Sequence, residues 1–284
     1  MKIYCEGEKG SHDSALLAKV LAGLDVKIQP IGGIRNADIA IEEFEKEHET
    51  SNGFLFFRDR DFDVAVPDTP SLTVDKYTCY SYLTTIENYL LHPNVFFEFL
   101  KEKKLTAKFK LKSHTEVQAT FIKAAKQIAY YQALRHTIAQ FRTADTFDTT
   151  WLHQGSGNLP KLIELNNRPL CRQKAIAKIA ATIEETENWS EQAFDDVLNS
   201  FSNQFDADSF YENADFLVWF QGKDLAKSLS RLLPQFPMKS YYQFAKKHFD
   251  YHQFDDLVEL RRIVEIRNSL FGIRYSLFGI RRNE

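Results

Sequence analysis

Three carboxylate residues follow short apolar runs in the first quarter of the chain. Glu6 follows KIYC, while Asp59 and Asp61 follow GFLFFR. If both runs are strands of a parallel sheet, their carboxyl ends lie at the edge where open α/β sheets bind ligands. Alternation along an extended segment would direct Asp59 and Asp61 to the same side. Because carboxylate oxygens suit hard cations, the pattern predicts a metal site with Mg²⁺ (or Mn²⁺) as the cofactor.

The elements around these acids alternate as in a βαβ unit. Strands are predicted at residues 2–6, 26–31, 53–57 and 77–83, and the third run is fully apolar, as in the buried centre of a parallel sheet. Ser11 is a predicted N-cap for a helix with an apolar stripe, and a second helix is predicted over residues 35–49. These features indicate an α/β parallel-sheet domain over residues 1–92.

The spacing of apolar residues becomes helical after Pro93. Steps of mostly three and four predict one long helix over residues 113–144. Shorter helices are predicted over residues 172–187, 190–201, 223–233, 241–249 and 255–269, with a loop at GSGNLP, residues 155–160. A mainly helical domain is therefore expected over residues 93–284. The apolar tail from Asp255, which repeats SLFGIR, predicts an association surface and a homodimer, although packing on its own helical domain is an equal alternative.

The composition is that of an ordinary soluble protein. Of the 284 residues, 44% are hydrophobic and 26% are charged, and the net charge of −3 excludes a histone-like nucleic-acid binder. No apolar run approaches the roughly 18 residues of a membrane span, and the N-terminus lacks the apolar core of a signal peptide. The three cysteines form no CxxC pair and are predicted to be reduced and partly buried. A cytoplasmic protein without a membrane partner is expected.

Two other metal motifs do not account for the acidic and histidine residues. An EF-hand loop beginning at Asp59 needs Gly where Val64 stands and Glu where Pro70 stands. His248 and His252 have the helical spacing of a metal pair, but no HExxH glutamate lies between them. A structural or surface role is expected for these histidines.

The ordered motifs resemble a TOPRIM domain, the metal-dependent fold of topoisomerases, primases and OLD-family nucleases. The resemblance lies in an apolar strand followed by EG, an S-x-D-x-x-LL helix, and an apolar strand ending in DRDFD. The segments CEGEKGSHDSALL, LFFRDRDFD, TTIENYLL and WFQGKDL are together similar to a narrower family of TOPRIM-like proteins often encoded beside an ABC-type ATPase. The best-described relative of that narrower family is the nuclease effector of the PARIS anti-phage system. The similarity covers the N-terminal hundred residues and a short patch near Lys223.

The resemblance implies roles for the acids at the two strand ends. Glu6 would be the TOPRIM glutamate, as metal ligand or general acid/base. Asp59 and Asp61 would be the DxD metal ligands, and Asp63 would be a further metal ligand in the same run. Asp13 would fill the acidic position of the first helix, behind the metal ligands, because its separation from Glu6 is longer than in OLD nucleases.

Two residues farther along the chain complete the implied site. Glu87 in IENYL would be an additional metal ligand, and Lys223 in QGKD would return to the site as the lysine that contacts the scissile phosphate. No tyrosine can be assigned as a strand-passing nucleophile, so topoisomerase activity is not expected. Lysines of the segment KEKKLTAKFKLK are predicted to guide the nucleic-acid backbone: Lys101, Lys103, Lys104, Lys108, Lys110 and Lys112.

The resemblance thus implies a Mg²⁺-dependent nuclease that cleaves RNA, tRNA or DNA. It would act as the effector of a bacterial anti-phage system with an ABC-type ATPase partner. Two alternatives remain open: a non-catalytic TOPRIM scaffold that binds the ATPase or a nucleotide, and a plain nucleic-acid binder. Metal binding would distinguish the two classes: the enzyme would bind a metal ion at the carboxylates, whereas in a scaffold Arg58 or Arg60 would form salt bridges at that edge of the sheet.

Overall fold

The computed structural model describes residues 1–32, 39, 53–62, 64–141, 157–181 and 189–280, with the side chains of residues 271–280 left out of the description. Asp63, most of the helix predicted over residues 35–49 and the start of the loop predicted at residues 155–160 lie outside the described residues. The chain forms two compact units, a sheet unit (Met1–Arg60, Val66–Tyr82 and His248–Glu284) and a helical unit (Asp61–Ala65 and Leu83–Lys247).

A five-stranded, mostly parallel sheet is the centre of the sheet unit. Its order is β2-β1-β3-β5-β4, and β4 is the antiparallel edge strand. The strands are β1 (Lys2–Cys5), β2 (Lys27–Pro30), β3 (Phe54–Arg58), β4 (Thr73–Asp75) and β5 (Thr78–Tyr80). The α/β class and the four predicted strands are confirmed. The sequence did not indicate β4, because a strand of three residues is too short to show alternation.

Aromatic packing and a capped helix stabilise this unit. All five residues of β3 are buried, and the Tyr4 and Phe56 rings of neighbouring strands stack with centroids 5.0 Å apart. Helix α1 (His12–Val20) begins after Ser11, whose hydroxyl accepts the Ser14 N–H at 3.3 Å. Ser11 is therefore the N-cap, as predicted.

The helical unit contains the long helix and the elements packed around it. Helix α5 spans His114–Phe141 and confirms one long helix within the predicted range. The other helices are α2 (Ile86–Leu90), α3 (Pro93–Glu102), α4 (Thr106–Phe109), α6 (Leu162–Leu165), α7 (Arg168–Ala180), α8 (Glu191–Asp206), α9 (Asp208–Glu212), α10 (Phe216–Trp219), α11 (Gly222–Leu232) and α12 (Met238–His248). Within the described part of the chain, no helix is long and apolar enough to cross a membrane.

The last helix, α13 (Asp255–Ile280), belongs to the sheet unit. Leu257, Leu260 and Val264 are buried, and Arg261 donates to the carbonyl of Val20 at the end of α1 at 2.7 Å. These contacts lie within the sheet unit, not in the helical domain that was the predicted alternative to an association surface. The predicted homodimer and the boundary at residue 92 stay predictions, although the contacts group residues 248–284 with the sheet.

Candidate functional site

Glu6 and Asp59 follow neighbouring strands of the sheet unit. Strands β1 and β3 pair in parallel with Cys5 opposite Phe57, so Glu6 follows β1 beside the end of β3. The chain places β2 on one side of β1 and β3 on the other, which makes β1 and β3 the switch point where such sheets bind ligands. The two carboxylates therefore come from adjacent strand ends at the edge predicted for the site.

An arginine contacts the Glu6 carboxylate. Arg58 Nε lies 3.5 Å from Glu6 Oε1, and the side chains are 9% and 19% exposed, respectively. The Arg58 guanidinium also lies over the Tyr80 ring, 5.7 Å from its centroid. Because a buried carboxylate needs compensation for lost hydration, this ion pair offsets part of the cost of burying the Glu6 charge.

The turn after Glu6 requires glycine. Gly7 has a φ of +78°, and a Cβ there would lie 2.8 Å from the Ser11 Cβ and Oγ atoms and 3.5 Å from Asp13 Oδ2. The EG motif and the acid of α1 therefore lie side by side. Burial, together with the smaller effect of the nearby charges of Asp13 and Glu6, raises the pKa of Cys5 to about 12. The cysteines at positions 5, 79 and 171 are free and buried, which confirms that they are not disulfide-bonded.

The chain does not continue as a strand to Asp61. Strand β3 ends at Arg58, and Asp61 has a φ of +44°, a left-handed conformation that Asp tolerates better than most residues. Within the helical unit, the Asp61 N–H donates to the Thr84 carbonyl at 2.7 Å. The extended backbone on which the predicted alternation depends therefore does not include Asp61, and the placement of Asp59 and Asp61 on one side stays a prediction.

The helical unit brings two predicted site residues together. Lys223 Nζ lies 3.7 Å from Glu87 Oε1, with Lys223 54% exposed and Glu87 7% exposed. The other carboxylate oxygen, Glu87 Oε2, is buried without a hydrogen bond. A lysine at the first turn of α11 is thus held beside an acid of α2, although the two lie far apart in sequence.

The segments that carry this pair interlock closely. Asn88 Nδ2 donates to the carbonyls of Leu217 and Phe220, both at 2.9 Å, and the Gly222 N–H donates to Thr85 Oγ1 at 3.2 Å. The motifs TTIENYLL and WFQGKDL therefore dock on each other inside one unit. Both motifs were singled out from the sequence, but the sequence did not indicate that Asn88 and Thr85 hydrogen-bond the two segments together.

A buried polar cluster on α5 was also missed. Arg135 forms an ion pair with Asp224, and the two side chains are 3% and 0% exposed. Gln132 Nε2 donates to Asp224 Oδ2 at 2.9 Å, and His136 Nε2 lies 2.9 Å from the Trp219 carbonyl. The sequence signal for this cluster was the group of polar residues Gln132, Arg135 and His136 in the middle of an otherwise apolar helical stretch.

The six lysines predicted to contact nucleic acid are all exposed on α3, α4 and the turns beside them. Lys101 and Lys103 pair with Glu98 and Glu102 at 3.1 and 2.9 Å, and such surface pairs contribute little stability. Lys104 and Lys110 both adopt a φ of +55° after a helix, a position that favours glycine. The structure thus presents a lysine-rich surface with two lysines at backbone positions that are costly for them.

The donors at the sheet edge fit Mg²⁺ in their chemistry. Among the residues that the structure describes, no group of three or more His, Cys, Asp and Glu is arranged to hold a metal ion. However, Mg²⁺ keeps several waters and is commonly held by one or two carboxylates together with substrate phosphates. Glu6 and Asp59 supply two such hard donors, and Arg58 would compete with a cation for Glu6.

Comparison with known proteins found no relatives. Neither a scan against models of protein families nor a search of curated proteins gave a match. The TOPRIM resemblance and its assignment of metal ligands therefore stay predictions from the quoted motifs.

Proposed function

We propose that this protein is a Mg²⁺-dependent nuclease that hydrolyses phosphodiester bonds of RNA, tRNA or DNA. One observation carries the proposal: Glu6 and Asp59 follow the adjacent parallel strands β1 and β3 at the switch point of the sheet. Open α/β sheets bind ligands at this edge, and two carboxylates there attract a divalent cation that in turn attracts phosphate.

Individual residues have separate tasks in this proposal. Glu6 and Asp59 would hold the ion, with Asp61 as the second acid of the DxD motif. When bound, Mg²⁺ would help to generate hydroxide from water and stabilise the departing oxygen. The exposed ammonium of Lys223 would leave Glu87 and bind an oxygen of the substrate phosphate instead. It would then neutralise the negative charge that develops on this phosphate.

The proposed biological setting comes from the resemblance. The protein would act as the effector of a bacterial anti-phage system together with an ABC-type ATPase. The lysine-rich surface from Lys101 to Lys112 supports a nucleic-acid substrate, because exposed lysines bind the backbone independently of its sequence. A homodimer remains part of the proposal.

A cleavage assay with matched variants tests this function. The purified chain is incubated with total RNA or plasmid DNA, with Mg²⁺ or EDTA, and with or without the ATPase partner. Glu6→Gln, Asp59→Asn and Asp61→Asn should each lower the rate by about 10²-fold or more. The control Asp75→Asn, at an exposed position on β4, should cleave like the wild type. Cleavage that survives EDTA or all three substitutions would refute the proposal.

The Arg58–Glu6 ion pair favours a second candidate, a non-catalytic scaffold. An arginine on the metal-binding glutamate is the arrangement expected of a site that holds no ion. Titration with Mn²⁺, followed by its electron paramagnetic resonance signal, separates the two functions. The nuclease should bind Mn²⁺ and lose that binding in Glu6→Gln, whereas the scaffold should bind none and still bind the ATPase.

A further inference from the structure

Helix α5 carries a buried guanidinium in the middle of the helical unit. Arg135 is 3% exposed, and its charge is costly to bury unless it is paired. The guanidinium donates to Asp224 Oδ2, and its carbon atom lies 4.5 Å from the centroid of the Phe62 ring. It therefore contacts residues of two segments, DRDFD and WFQGKDL, which sequence reasoning assigned to the site.

The first contact fixes the start of helix α11. Asp224 is fully buried and follows Lys223 directly. In addition to the bond from Arg135, its carboxylate accepts the Gln132 Nε2–H at 2.9 Å and the Gly157 N–H at 2.7 Å. A carboxylate held by three donors cannot turn, so the first turn of α11 is fixed where Lys223 projects from it.

The second contact reaches the turn that contains Asp61. Asp61 acts electrostatically on Arg135, whose guanidinium lies over the ring of the next residue, Phe62. The His136 ring meets the same Phe62 ring edge-on at 4.7 Å. Arg135 and His136 of α5 thus both contact the turn that contains Asp61, and Arg135 also contacts the first turn of α11, which carries Lys223.

We propose that Arg135 is a positioning residue that sets the orientation of both Asp61 and Lys223 for phosphodiester cleavage. This inference rests on the proposed nuclease function. The planar guanidinium remains charged at all relevant pH values and donates in fixed directions, so it holds an acid and an aromatic ring in one defined geometry, whereas the ammonium of a lysine has no such fixed donor directions. Because a displacement of about 1 Å in a reacting group can cost about 10²-fold in rate, a loss of this order is expected without Arg135.

The kinetic test uses Arg135→Lys with Arg168→Lys as its control. Arg168 pairs with Asp206 on the exposed surface of the same unit, so the control makes the same substitution where little depends on it. Arg135→Lys should lower kcat by about 10²-fold with little change in KM, after correction for the folded fraction measured by circular dichroism. A folded Arg135→Lys protein with the wild-type kcat would overturn the proposal.

A double-mutant cycle separates positioning from general destabilisation. If Arg135 acts partly through Lys223, adding Arg135→Lys to Lys223→Met should cost much less than Arg135→Lys costs alone. Fully multiplicative losses would argue against action through Lys223. If Arg135→Lys does not fold, Gln132→Met removes one donor to Asp224 and should produce a smaller loss of the same kind.

A measurement without substrate distinguishes failure of this inference from failure of the nuclease function. Hydrogen exchange of the amides of residues 222–225 should be about tenfold faster in Arg135→Lys, because the first turn of α11 opens more readily. The amides of α7 should be unchanged. If the wild type cleaves nothing but these amides respond, the nuclease proposal fails while Arg135 still fixes the α11 turn. Unchanged exchange together with unchanged kcat would refute the positioning role.

Discussion

The substitution Gly222→Ala tests how closely the two motif segments dock. A Cβ atom at position 222 would lie 2.6 Å from Asn88 Oδ1, 2.8 Å from Glu87 Cβ and 2.8 Å from Thr85 Oγ1. None of these atoms can move away cheaply. The Asn88 side chain is held by hydrogen bonds at both ends, and Glu87 Cβ is attached to the backbone of α2.

Two opposing effects set the size of the change. Alanine is favoured over glycine in the middle of a helix by about 0.5–1 kcal/mol, and this is an upper limit to the gain at Gly222, the first residue of α11. Inserting a methyl group into a filled site costs about 1–3 kcal/mol, because backbones must separate. The overpacking dominates, so Gly222→Ala should lower the free energy of unfolding by about 1–2 kcal/mol and move Lys223 away from Glu87.

Urea unfolding measured by circular dichroism checks the stability, with Lys227→Ala as the control. Lys227 is exposed on the same helix, and its substitution should change the free energy of unfolding by less than about 0.5 kcal/mol. The cleavage assay should show a lower rate for folded Gly222→Ala than for Lys227→Ala. A Gly222→Ala protein as stable as the wild type, or more stable, would show that the docking is not as close as described.

Three further predictions concern charge and titration. Arg58→Gln removes the side chain that would compete with a cation for Glu6, so Mn²⁺ should bind more tightly. The free energy of unfolding should fall by about 1–3 kcal/mol, because Glu6 loses its ion-pair partner. An unchanged Mn²⁺ affinity would contradict this competition. Burial lowers the pKa of His92, whose Nδ1 caps α3, so the unfolded chain takes up the proton more readily. Stability should therefore fall as the pH drops below about 6.5, and His92→Asn should reduce this dependence in urea titrations. Burial also raises the pKa of Cys5 and of Cys79 to about 12, so thiol reagents near pH 8 should modify them at least about 10²-fold more slowly in the folded protein than in urea.

Local patterns in the sequence predicted the α/β class and the edge that carries Glu6 and Asp59. Short apolar runs marked three of the parallel strands, a run rich in Tyr, Thr and Cys marked β5, and an apolar stripe with the N-cap Ser11 marked α1. These features are readable because side-chain periodicity and capping depend on residues close in sequence. The carboxyl ends of β1 and β3 then follow from the general construction of parallel sheets.

Only the tertiary structure decided which distant residues meet. No local sequence pattern predicts three features of the helical unit: the turn at Asp61, the pairing of Glu87 with Lys223, and the burial of Arg135 against Asp224. Each depends on two segments far apart in the chain packing against each other. Burial then makes an unpaired charge or an added methyl group costly, so long-range packing fixes the geometry of residues whose types the sequence already displays.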